Sequence, residues 1–171
     1  MLKAWIADLL TRGSGWNDAV LFARCWEEDA SFLNELALAL ATSRERHLET
    51  SQLGRAFRIA AGVFAPAVLD EDEIAYPIAA GSACAAFGID RHDALLAYLQ
   101  GFAATLTSVA VRLVPIGQTA GLEVLRDLAP AIAATAGRAA AATLDDLGTI
   151  TIAADIAAMK HETQHSRVFR T

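Results

Sequence analysis

The stretch DRHDALLAYLQGFAATLTSVAVRLVP, Asp90 to Pro115, decides the fold. Asp90 has the type and place of an N-cap, with a carboxylate at the positive end of a helix dipole. Pro115 lacks an N–H and cannot continue the helix. No charged side chain occurs between Ala94 and Val111. Leu95, Leu96, Leu99, Phe102, Ala103, Leu106, Val109, Ala110 and Leu113 recur at helical spacing, and Gln100, Thr105, Thr107 and Ser108 mark a thin polar edge. So apolar a helix is expected to be enclosed by others. A bilayer crossing takes about 20 mostly apolar residues. Ala94 to Val111 is marginal in length and interrupted by polar groups, and no second segment resembles it. The expectation is a buried core helix over about 91–114, not a membrane span.

Outward from this helix the composition points the same way. The chain has 171 residues, enough for one domain with its own core. Hydrophobic residues make up 54%, much of it alanine, the best helix former, and β-branched runs are scarce. A single-domain, all-α bundle spanning 1–171 is predicted. The net charge of −6 disfavours nucleic acid as a partner, because duplex binding requires cationic groups to displace counterions. Cys25 and Cys84 stand far apart in no CxxC pattern, which suits reduced thiols and a cytoplasmic protein. MLKAWIADLL has too short an apolar core for a typical signal peptide.

Before the central helix, Leu2, Trp5, Ile6, Leu9 and Leu10 form one stripe. Asn17 and Ser31 are candidate caps for a second and third helix, and Thr42-Ser43-Arg44-Glu45 has capping-box spacing. The helix that follows is expected to turn Leu53, Phe57, Ala60, Ala61 and Phe64 inward. Gly54 inside it signals a bend or a close neighbour. Asp70 to Glu73 reads as an exposed acidic loop, since it lacks the spaced oxygens and turn glycine of a calcium loop. Pro77 and Gly88 bracket a helix of small residues, expected to pack tightly against the central helix. After Pro115 a turn leads to a helix that Pro130 is expected to kink or restart. Thr151 can cap a last helix, reaching about Thr163.

The end of the chain, MKHETQHSRVFRT, is chemically distinct. Lys160, Arg167 and Arg170 stand against Glu162 alone in an otherwise acidic protein. Arginine forks beside an apolar anchor, Phe169, suit docking onto a partner. The same composition suits a solvated terminus, and the residues alone leave both readings open. His161-Glu162-Thr163-Gln164-His165 also fits the H-E-x-x-H zinc-peptidase pattern, which on a helix would aim both imidazoles at one metal with Glu162 as base. Only six residues follow His165, where such sites usually find a third ligand. A metal-binding or hydrolytic protein is therefore the alternative reading. No phosphate loop or activated Ser or Cys pattern is present, and neither catalytic residues nor a cofactor are expected.

Ser43-Arg44-Glu45, Ser51-Gln52-Leu53-Gly54-Arg55-Ala56-Phe57, Tyr76-Pro77, Ala94 to Gln100 and Val111 to Thr119 occur in one order, ending on the tail. In this the chain resembles the UreF family of urease accessory proteins over essentially its whole length. The family's closing signature usually reads RHETQYSRLFRS. Lys160 replaces its usual arginine, and His165 stands where tyrosine is usual, so the H-E-x-x-H match arises from one substitution in a different motif. The family normally carries a few dozen further residues before the position of Met1, so a misplaced start or a truncation is expected.

The resemblance implies an all-α, homodimeric adaptor without catalysis. It would bind UreD (also called UreH), recruit the GTPase UreG and act on apo-urease so that nickel reaches the active site. It assigns Lys160, His161, Glu162, Thr163, Gln164, Ser166, Arg167, Phe169 and Arg170 to the UreD side, with 164–171 as the binding tail. It assigns Arg112 and Gln118 to the UreG side.

Overall fold

The structure is a computed structural model and describes residues 1–64 and 73–165. Asp70–Asp72 of the acidic run and residues 166–171 lie outside the described residues. Among the described residues the fold is all-α, as the composition predicts. The helices are α1 (Leu2–Arg12), α2 (Ser14–Arg24), α3 (Ala30–Ala39), α4 (Arg44–Ala61), α5 (Tyr76–Ala86), α6 (Arg91–Leu113), α7 (Gly117–Ala141) and α8 (Ile152–His161), with a 3-10 turn at Leu144–Asp146. Their contacts divide the chain into two compact units: Met1–Val20 with Arg91–Ile150, and Leu21–Asp90 with the chain from Thr151 onward.

In the first unit α6 and α7 pack along each other, joined by a short turn at Pro115, and α1 packs on both. Gly121 permits close approach: a Cβ there would meet Val111 Cγ2 at 2.7 Å. Among the described residues the expected enclosure of α6 is only partial. Its buried residues are Ala94, Leu95, Tyr98, Leu99, Ala103 and Thr107, a single stripe at i, i+3/i+4 spacing. Only 39% of its most apolar window is buried, although its length and composition alone would suffice to cross a membrane. The reason is local: α1 and α7 cover one side, while Leu113 and Val114 stay exposed at the C-terminal end.

α7 runs through Pro130 without interruption and buries Leu128, Ile132, Thr135, Ala136 and Ala139. Pro130 therefore does not restart the helix. Polar bonds tie the segment after α7 to the start of the chain. The Trp16 indole N–H donates to the Asp146 carbonyl (2.8 Å), Gly148 N–H donates to Asn17 Oδ1 (2.9 Å), and Ile150 N–H donates to the Arg12 carbonyl (3.0 Å). Asn17 thus lies inside α2 and does not cap it. The Arg138 guanidinium sits 4.4 Å from the centre of the Trp16 ring, a cation–π contact.

The second unit is organised by α4. Its buried face is Thr50, Ser51 and Gly54. Leu53 and Phe64, expected inward, are exposed. The cause is the approach of the strand-like lead into α5: a Cβ on Gly54 would lie 1.9 Å from the Ile74 carbonyl oxygen. Only glycine admits that backbone, so the inward face is chosen by size rather than by hydrophobicity. Thr50 Oγ1 accepts from Tyr76 N–H (3.1 Å), and the Tyr76 ring meets Phe57 edge-on at 5.7 Å. The buried Asn34 of α3 spans the same lead, donating to the Glu73 carbonyl and accepting from Ala75 N–H, each at 2.8 Å. Asp29, not Ser31, caps α3.

α5 opens on Pro77, and its C-terminal turn is closed by Gly88 in the left-handed region at φ +66°. The small face, expected to pack on the central helix, packs instead within its own unit, on α4 and α3. At Gly81 a Cβ would come within 2.8 Å of both Cys25 Sγ and the Phe22 carbonyl oxygen of α2. Burial pushes the Cys25 thiol up to about 11, and Cys25 and Cys84 are both free.

Candidate partner-binding site

Two places bring the sequence-nominated residues together. The first lies where α4 begins. Ser43 is the N-cap, one residue later than the capping box suggested, and its hydroxyl accepts from Arg46 N–H (3.1 Å). Arg44 occupies the first helical position, where no intrahelical partner exists for its N–H. That N–H donates to Glu162 Oε1 at 2.6 Å, across 118 residues of chain. Beside it His161 Nδ1 lies 2.5 Å from Glu45 Oε2, and Thr42 Oγ1 donates to Asp155 Oδ1 (3.4 Å). A carboxylate at a helix N-terminus is favoured by both the free N–H and the dipole.

These contacts set the fate of the tail residues. α8 ends at His161, so the expected extension to Thr163 falls short by two residues. The Thr163 hydroxyl donates to the Lys160 carbonyl (3.1 Å) and Gln164 N–H donates to the His161 carbonyl (3.1 Å), closing the last turn. Lys160, Gln164 and His165 are exposed. Ser166, Arg167, Phe169 and Arg170 lie outside the described residues. The helical premise of the H-E-x-x-H reading fails here: His165 lies beyond α8, and His161 is turned to Glu45. Among the described residues no group of three or more His, Cys, Asp or Glu side chains is placed to hold a metal ion.

The second place lies in the first unit, in a groove of about 210 Å³ between α6 and α7. Arg112 and Gln118 both line it, together with Ala104, Val111, Leu122 and Leu125. Thr107, 3% exposed, also lines it, and its hydroxyl has no hydrogen-bond partner among the described residues. Leu113, Val114 and Leu122 lie exposed in the same stretch of chain.

The pairing at α4 joins two of the sequence stretches on which the family resemblance rests, Ser43-Arg44-Glu45 and the HET of the tail. A second pair of those stretches meets where the Phe57 ring packs on that of Tyr76. The profile of the UreF family matches residues 1–129. The chain belongs to the UreF family. The urease accessory protein UreF of Brucella ovis is 45% identical over 99% of this chain and 78% of its own length. The UreF protein of Rhizobium leguminosarum bv. viciae is 46% identical over 99% of this chain and 79% of its own length. UreF membership makes this an accessory protein of urease.

The sequence missed Thr42, Asp155 and Asn34 as joining residues. Capping-box spacing marked Thr42 only for local use, and nothing in the chain signals a cap supplied from 118 residues away.

Proposed function

We propose that this chain is a non-enzymatic adaptor of urease maturation. With UreD and the GTPase UreG it engages apo-urease, so that nickel, as cargo, reaches the enzyme's active site. One observation carries the reading: UreF-family similarity over 99% of the chain, in a protein whose cationic closing segment departs from its acidic composition.

In this reading the tail docks on UreD through Lys160, Thr163, Gln164, Ser166, Arg167, Phe169 and Arg170. Arg112 and Gln118 serve UreG from the α6–α7 groove, which offers a guanidinium and an amide beside apolar side chains. The adaptor works as a homodimer. The unpaired thiols of Cys25 and Cys84 suit the reducing cytoplasm. A segment that orders on docking loses conformational freedom, which its arginine forks and Phe169 must offset.

Deletion of Ser166–Thr171 tests the proposal. The shortened chain is expected to keep its far-ultraviolet helicity and to lose capture of purified UreD. Undiminished capture would overturn the assignment of the tail.

A further inference from the structure

We propose that His161 and Glu162 are positioning residues, which pin α8 to the first turn of α4 so that the tail leaves from a fixed point. This rests on the reading of the tail as the UreD-binding segment, and it moves these two side chains from contacting the partner to aiming the segment that does.

The argument starts from what α8 lacks. It has ten residues and none is buried. Isolated helices shorter than about 12–15 residues are marginal in water. α8 therefore needs tethers, and α4 is the helix it packs on. The contacts sit at both ends. Asp155 in the first turn takes the Thr42 hydroxyl, and at the last turn His161 meets Glu45 while Glu162 takes the Arg44 N–H. The Arg44 bond is charge-assisted and short, and it satisfies a donor that α4 cannot satisfy itself.

Pre-ordering is favoured over competition between α4 and the partner. Releasing Glu162 would exchange its bond to the Arg44 N–H for water and loosen a helix with no core of its own. A tail already held at Thr163 has less freedom to lose on docking.

The first position of a helix provides a clean test. Proline is well tolerated there because its missing N–H is already an orphan, and Ser43, at φ −147° and ψ 157°, has the extended conformation that a following proline requires. Arg44→Pro removes the N–H, whereas Arg44→Ala removes only the guanidinium. Hydrogen exchange and capture of purified UreD are measured on both full-length variants.

Arg44→Pro is expected to speed exchange over residues 152–163 by about tenfold relative to Arg44→Ala, the loss of one charge-assisted bond. UreD capture should weaken by a similar factor. Glu162→Gln keeps an acceptor oxygen and should retain most capture, whereas Glu162→Ala should match Arg44→Pro. Equal exchange in the two Arg44 variants overturns the pin. Faster exchange with unchanged or tighter capture overturns the positioning role, as does a Glu162→Gln loss as large as that of Glu162→Ala. Failure of the unaltered chain to capture UreD overturns the partner reading instead, and the exchange comparison then decides the pin.

Discussion

α4 is gripped twice, and the two grips differ in kind. At Gly54 it is held by backbone pressed against backbone, with Asn34 and Thr50 satisfying buried and part-buried backbone groups of the segment entering α5. At Arg44 it is held by side chains of α8 that stay partly open to water. Buried polar groups that lose their partners cost their full desolvation, whereas groups near the surface find water instead. The first grip therefore sets whether the second unit folds, and the second holds α8 on the start of α4.

The largest expected effect breaks the first grip. Gly54→Ala places a Cβ where the Ile74 carbonyl stands, and backbone cannot yield as a flexible side chain would. A loss of at least about 3 kcal/mol in urea unfolding is expected. Asn34→Ala comes next, since it strands the Glu73 carbonyl and the Ala75 N–H together. A loss of about 2–4 kcal/mol is expected. If either variant unfolds like the unaltered chain, the grip at Gly54 does not govern folding of the second unit. Arg44→Pro, by comparison, should shift global stability by less than about 1 kcal/mol relative to Arg44→Ala, while changing exchange in α8.

The smallest effect belongs to an exposed tie in the first unit. The Thr143 backbone N–H, with help from its hydroxyl, holds the Asp146 carboxyl below its ordinary value. A lowered folded value contributes stability above the unfolded carboxylate range, and that contribution fades as pH falls through the folded value. Asp146→Asn should therefore melt slightly lower than the unaltered chain at pH 7, with the gap closing under acid. A gap that widened toward low pH would contradict the assignment.

Legibility in the sequence follows the range of the forces involved. Local signals placed elements well: Asp90 and Pro115 bracket α6, Pro77 and Gly88 bracket α5, and Gly54 announced a close neighbour. Burial was less legible, because periodicity states which residues are apolar and not how many neighbours arrive to cover them. α6 shows this on its uncovered flank, and α4 shows it through Leu53 and Phe64. The candidate site was legible only by family resemblance. Arg112 and Gln118 do share a groove, but the bond from Arg44 to Glu162 joins residues too far apart for any local pattern to reveal.

The depth of Cys25 has a practical side. With its thiol pushed up to about 11 by burial, little of it is thiolate at neutral pH. Electrophilic labels and mild oxidants will find almost nothing to attack there, so a single added cysteine on α8 can be tagged to follow its movement, once Cys84 has been replaced.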